Sequence, residues 1–269
     1  MHGARHEDSG VRASRWNLAA LALVLTFLLG PFLVVFLSAF SSGETLAFPP
    51  PGFSLRWIGQ VFTVAAFQSS FVTSLVVAVS ATLLSLLLGI PVAYALARYR
   101  VPGAELIRTL VTTPLIIPGI VVGLGLLRYF IIVLNVPVYT GLIVGHTALL
   151  VPYAVRVVGA SLTNLRVDIE DAAHTLGASR LRVFGLVVLP NIRGAVISAA
   201  ILAFITSFNQ VPVSLFLTGP GVSTLPIQML SYMEYTFDPS IAALSTVLVA
   251  FTLLIVLGAE RLLGISKYV

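Results

Sequence analysis

Long apolar runs, interrupted by arginines or by Pro and Gly, set the organisation of this chain. Runs near Leu18–Phe40, Ser69–Ala97, Thr109–Ile132, Thr140–Val158, Ile192–Leu217 and Ile241–Leu263 are each long enough to cross a bilayer, because a helix needs roughly 20 apolar residues to span the hydrocarbon core. The pattern predicts an all-α membrane protein with six transmembrane helices. They form a single domain over 18–263, between a tail at 1–17 and another at 264–269. The second and fifth runs exceed a minimal span, which predicts tilt or extension past the hydrocarbon. The first run follows Met1–Asn17 and lacks a small-x-small cleavage pattern, so it reads as a retained helix and not a signal peptide.

Composition agrees with the runs: 58% of residues are apolar, 9% are charged and the mean hydropathy is +1.05. That leaves too little polar surface to coat a water-soluble globule. No cysteine is present, which excludes disulfides, thiolate metal sites and a cysteine nucleophile. The net charge of +5 does not point to nucleic acid, because the basic residues sit at the ends of apolar runs with no basic stripe. Thirteen of the 15 Lys and Arg residues lie before the first run, between the second and third, around the junction of the fourth and fifth, or, as Arg261 and Lys267, at the end of the chain. Arg56 and Arg128 alone fall on the other side. Basic loops stay cytoplasmic, so both termini are expected there.

The opposite side carries Ser41–Gln68 and Gly219–Ser240, rich in Pro and including Trp57, Tyr232, Tyr235 and Phe237. These read either as interfacial segments or as ordinary loops. Pro114, Pro118, Pro152 and Pro212 interrupt the spans and free backbone groups that lipid cannot satisfy. They mark either a transport path or simple kinks. His146 lies inside the fourth span, where it either touches a solute or bonds a neighbouring helix. Asn209 and Gln210 in the fifth span offer the same two readings.

The loop between the fourth and fifth spans, 159–191, is the most informative stretch. Asp168 is placed to cap a helix whose first turn holds Glu170 and Asp171, where the macrodipole favours negative charge. Ala173, Leu176, Gly177 and Phe184 follow at helical spacing, and Gly177 supplies a turn or a close approach. Asp171-Ala172-Ala173, Gly177, Val187, Leu189 and Pro190 resemble the signature of importer-type ABC permeases, in which Glu-Ala-Ala is followed by Gly and then Ile-x-Leu-Pro. Asp171 stands for Glu and Val187 for Ile. The resemblance implies the type I ABC importer permease fold. It also implies that the element is a coupling helix docking on an ATPase subunit, with Asp171, Ala172, Ala173 and Gly177 on the docking surface and Glu170, Leu176, Leu189 and Pro190 completing the coupling set.

Ala93–Tyr99, Gly145–Arg156 and Ser207–Pro220 look like the spermidine/putrescine-type branch. That resemblance implies a polyamine or related amine as solute, with a phosphonate, an opine or amino acid derivative, or ferric ion as the alternative in the same importer class. Polyamine permeases often carry acidic residues after the Ser-Phe of the fifth span, where Asn209 and Gln210 stand here; His146, Asn209 and Gln210 are the candidate path residues. The resemblance further implies residence in a bacterial inner membrane. Its partners would be an ABC ATPase dimer, a second homologous permease in a hetero-pair, an extracytoplasmic solute-binding protein and the surrounding lipid.

No Gly-x-x-x-x-Gly-Lys-Ser/Thr loop occurs, and the one lysine is Lys267, so no phosphate-cradling site is expected in this chain and ATP with Mg falls to the partner. His2, His6, His146 and His174 are too scattered for a metal cluster. No hydrolase elbow is present, and catalysis is not expected. A secondary transporter would need an intramembrane carboxylate, yet no Asp or Glu lies in the apolar centre of any run.

Overall fold

The computed structural model describes residues 15–263; the tail expected at 264–269 and most of that at 1–17 lie outside the described residues. Twelve α-helices occur among them. They are α1 (Arg15–Ser38), α2 (Arg56–Val61), α3 (Ala65–Arg98), α4 (Ala104–Thr112), α5 (Gly119–Leu126) and α6 (Val138–Asn164), then α7 (Val167–Thr175), α8 (Arg180–Val183), α9 (Leu189–Asn191), α10 (Arg193–Phe208), α11 (Leu225–Tyr235) and α12 (Ser240–Leu263). A 3₁₀ turn at Thr113–Leu115 and π-helical turns at Leu127–Val133 and Phe184–Val188 complete the helical elements. No strand occurs among the described residues, only isolated bridges at Ser41–Phe53 and Gly219–Val222.

Four helices are individually long and apolar enough to cross a membrane, α1, α3, α6 and most of α12. Six spans result if each of two bent pairs counts as one: Ala104–Leu115 with Gly119–Val133, bent by 93°, and Arg180–Asn191 with Arg193–Phe208, bent by 73°. The third expected run is therefore broken. Pro114 and Pro118 remove two helical N–H donors, and Pro118 pushes Ile117 away from the helical region. Hydroxyls take up carbonyls before the break, with Thr112 Oγ1 donating to Arg108 O at 2.9 Å and Thr113 Oγ1 to Thr109 O at 2.7 Å. The fifth run differs from expectation as well. Its helix starts at Arg193 and ends at Phe208, because Pro212 cannot continue it and disfavours helix at Val211. The fourth helix extends to Asn164, so the connecting loop begins at Leu165 and not at 159.

The chain divides into two compact units. The first comprises the segment up to Val61 with Phe237–Leu248. In it the stretch after α1 folds back on itself: Ser54 N–H donates to Phe40 O at 2.8 Å, Ser42 N–H to Gly52 O at 3.1 Å, and the Phe40 and Phe53 rings stack at 5.2 Å. Trp57 is buried and donates its indole N–H to Gly43 O at 3.0 Å. It is a packed anchor and not an interfacial side chain. No residue of the apolar window of α1 is buried.

The second unit comprises Phe62–Thr236 with the segment from Val249. Its centre is α6, whose apolar window is 61% buried against 33% for α3, so α6 is the helix the others surround. Around α6 pack α3 and α10, joined by Ala81, Leu150 and Ala203, and by Val77, Leu142 and Leu149 with Val213 and Leu217. Close approach depends on small residues, because lipid supplies no hydrophobic drive between helices and contact must come from van der Waals packing. At Gly89 an added Cβ would lie 2.6 Å from the Ala154 methyl. Tyr232 packs its ring 5.0 Å from Phe67, whereas Tyr235 is 86% exposed, as an interfacial aromatic would be.

Gly89→Leu is expected to lower the thermal unfolding temperature of the detergent-solubilised protein, at a cost of about 1–3 kcal/mol from overpacking. Gly125→Ala, where nothing lies within 4 Å of the added methyl, is expected to leave it unchanged or slightly raised. Equal effects at both positions would refute close α3–α6 contact.

Candidate coupling loop and polar core

The element that follows α6 is short and polar, and its geometry is set at both ends. Asp168 does not cap α7; the helix begins at Val167, which leaves Asp168 in the first turn with Oδ2 accepting from Arg166 at 2.7 Å. At the other end Ala178 N–H donates to Ala173 O at 3.1 Å and Gly177 N–H to His174 O at 2.9 Å. This pair of bonds is a Schellman closure, which needs a left-handed residue after the helix. Gly177 supplies it with φ of +84°, a conformation that costs any other residue strain. His174 Nδ1 lies 3.1 Å from Ala178 O; a carbonyl only accepts, so Nδ1 carries the proton.

One side of α7 is fastened to α3. Glu170 is buried. Its Oε1 accepts from Arg98 Nε at 2.6 Å, its Oε2 accepts from Tyr94 O–H at 2.8 Å, and Arg98 also donates to Leu165 O at 2.9 Å. A buried ion pair is tolerated only when further hydrogen bonds satisfy both groups, and here two carboxylate oxygens and two guanidinium nitrogens are each engaged. Tyr94 extends the attachment by setting its ring 5.1 Å from Phe184, at the start of the π turn. Ala173 and Ala178 pack against a core of Ala93, Val155, Val158, Leu162, Val183, Val188 and Ile192.

The other side of α7 faces outward. Asp171, Ala172 and Gly177 are exposed, and Leu176 is 89% exposed. Leu181 and Leu186 just downstream are exposed almost as fully. Large apolar side chains left open in this way mark a surface awaiting a partner or a lipid. The structure therefore separates the sequence-predicted set. Asp171, Ala172, Leu176 and Gly177 share the open surface, Ala173 is half-buried, and Glu170 points inward as the fastening. Leu189 is half-buried and Pro190 exposed; Pro190 lies in α9, one residue before the helical segment Arg180–Asn191 ends. The 73° bend into α10 follows.

A second polar cluster lies in the bundle. His146 is 1% exposed, with Nδ1 2.8 Å from Ser207 Oγ and Nε2 2.9 Å from Ser214 Oγ. Both ring nitrogens are thus taken, so His146 joins α6 to α10 and to the turn beyond it. Asn209 is exposed and its Nδ2 donates to Ile205 O at 3.0 Å; Gln210 is half-buried. The partners of His146 and Glu170 were missed from sequence, because they lie 61 to 76 residues away along the chain. The available signal was that Tyr94 and Arg98 are polar groups at the end of an apolar run and that Ser207 is a hydroxyl inside one.

The structure is thus a helical bundle with two bent candidate spans and a short helix fastened to it by a buried ion pair. The chain belongs to the family of binding-protein-dependent transport system inner membrane components, whose sequence profile matches residues 85–265. It is a permease subunit of an ABC importer. Among its relatives it is 32% identical to the putrescine transport system permease protein PotI of Escherichia coli (strain K12) over 258 residues, 93% of this chain and 89% of that protein. It is 26% identical to the spermidine/putrescine transport system permease protein PotC of the same organism over 240 residues, 89% of this chain and 90% of that protein. The fold matches a bacterial ABC transporter involved in import of the acidic polysaccharide alginate, with a TM-score of 0.67 at 16% identity, covering 92% of this chain and 95% of that one.

Arg98→Gln or Glu170→Gln is expected to destabilise the protein by about 3–5 kcal/mol, because each leaves an uncompensated buried charge or its isostere, while Tyr94→Phe costs about 1 kcal/mol. Thermal unfolding in detergent, with the double variant to complete the cycle, measures the coupling. Additive single effects would refute a direct bond.

Proposed function

We propose that this subunit forms half of the translocation pathway for a polyamine or closely related amine, and that it is driven through α7 by a separate ATPase dimer. The observation that carries the reading is the division of α7 and the turn that closes it into a buried, ion-paired side at Glu170 and an open side at Asp171, Ala172, Leu176 and Gly177. A push on the open side is passed to α3 through the bonds of Glu170 to Arg98 and Tyr94.

In this reading an extracytoplasmic binding protein delivers the solute, and a second homologous permease completes the path as a hetero-pair. Two ATPase subunits bind ATP and Mg; their closure drags α7 and rocks the bundle so that its cavity changes side. The chain itself performs no hydrolysis. Both termini and α7 face the cytoplasm, in keeping with the placement of 13 of the 15 basic residues. The name of PotI supports putrescine as the solute and that of PotC supports spermidine or putrescine. Asn209 donates one amide N–H to Ile205 O, and its Oδ1 is the group that would accept from an ammonium. A neutral acceptor suits a cation that must also leave.

In proteoliposomes holding the ATPase, the partner permease and the binding protein, Gly177→Arg and Asp171→Lys are expected to abolish binding-protein-stimulated ATP hydrolysis while the subunits still assemble. Normal stimulation in both variants would overturn the role of α7. Uptake of labelled putrescine is expected in the same vesicles, and Asn209→Lys is expected to lower it at least about tenfold by placing a second cation in the path; uptake unchanged by that variant would remove Asn209 from the path.

A further inference from the structure

An open cleft of about 380 Å³ lies between the ends of α3, α4 and α6 on the side that bears α7. Leu96, Ala97 and Val155 supply apolar wall, and Arg108 and Arg156 supply the charge. Among the described residues neither arginine forms an ion pair. Arg108 gives a single 3.3 Å bond to Leu96 O, and Glu105, one turn before it, stays unpaired with it. Thr112 and Thr163 also line the cleft, but their hydroxyls donate to carbonyls of their own helices, so the guanidinium groups are the free donors.

Depth fixes what kind of anion can reach them. Arg156 stands 8 residues short of the end of α6 at Asn164, roughly 12 Å along the axis. A helix of 27 residues is about 40 Å long against a hydrocarbon core of about 30 Å, so with α6 centred the Arg156 backbone lies about 7 Å inside the core, a depth from which its long side chain snorkels to the headgroup level. Helix α4 lies beside it with Leu106 and Leu110 63% and 61% exposed on the face opposite Arg108, the arrangement of a helix bedded in acyl chains with its cation turned inward. We propose that this cleft binds the phosphate of an anionic phospholipid from the adjacent leaflet, held between Arg108 and Arg156. Guanidinium forks match phosphate oxygens bidentately, and basic pockets between transmembrane helices recognise such headgroups.

The full-length protein in detergent, titrated with phosphatidylglycerol or phosphatidylcholine and followed by native mass spectrometry, tests this. Phosphatidylglycerol is expected to be retained in preference, with Arg108→Gln and Arg156→Gln each weakening retention about fivefold and Arg156→Lys weakening it less. Inorganic phosphate at matched concentration is expected not to displace the lipid. Equal retention of both lipids, undiminished retention by the double variant, or displacement by inorganic phosphate would each overturn the proposal. The readout needs neither ATPase nor solute, so its failure is separable from failure of the coupling reading.

Discussion

The bond between Arg98 and Glu170 is where two demands on this chain meet. Helix α3 has 34 residues and outruns the hydrocarbon, so its last turns carry groups that water or protein must satisfy. Helix α7 has only 9 residues, too few to be stable alone. The ion pair, with Tyr94 and the Leu165 carbonyl as further partners, solves both at once. It satisfies the end of α3 and fixes α7 against it, so the open surface of α7 is presented by a rigid platform. Because each partner is buried, neither can be lost without leaving a charge stranded.

Backbone satisfaction governs the rest of the bundle. Lipid offers no hydrogen bonds, so irregular backbone at membrane depth survives only where protein covers it. Helix α10 has 16 residues, about 24 Å, and does not reach across by itself. The chain beyond it turns through Val213, Ser214 and Leu217, all fully buried. His146 meets the Ser214 hydroxyl there and the Ser207 hydroxyl on α10, which pins the turn to α6. The break in the third span at Pro114 and Pro118 is handled differently, by threonine hydroxyls closing back on the preceding turn.

The apolar runs and the spacing from Asp171 to Pro190 were legible in the sequence, because each depends on the immediate surroundings of a residue: transfer into lipid or position along one short helix. They determined an all-helical membrane permease and located the loop that presents α7. They left Gly177 as a turn or a close approach, and the structure decides for the turn, with a positive φ that only glycine accepts without strain. What the tertiary structure alone decided was which side of that loop faces inward. Nothing in Glu170-Asp171 says which carboxylate is buried; that choice belongs to Arg98 and Tyr94, more than 70 residues earlier. The same holds for His146, whose two serine partners come from a helix and a turn, and for the early end of α10, which periodicity ran straight through to Leu217. Contacts between distant segments carry no local signature, because the side chains that make them are chosen by packing geometry rather than by their neighbours in the chain.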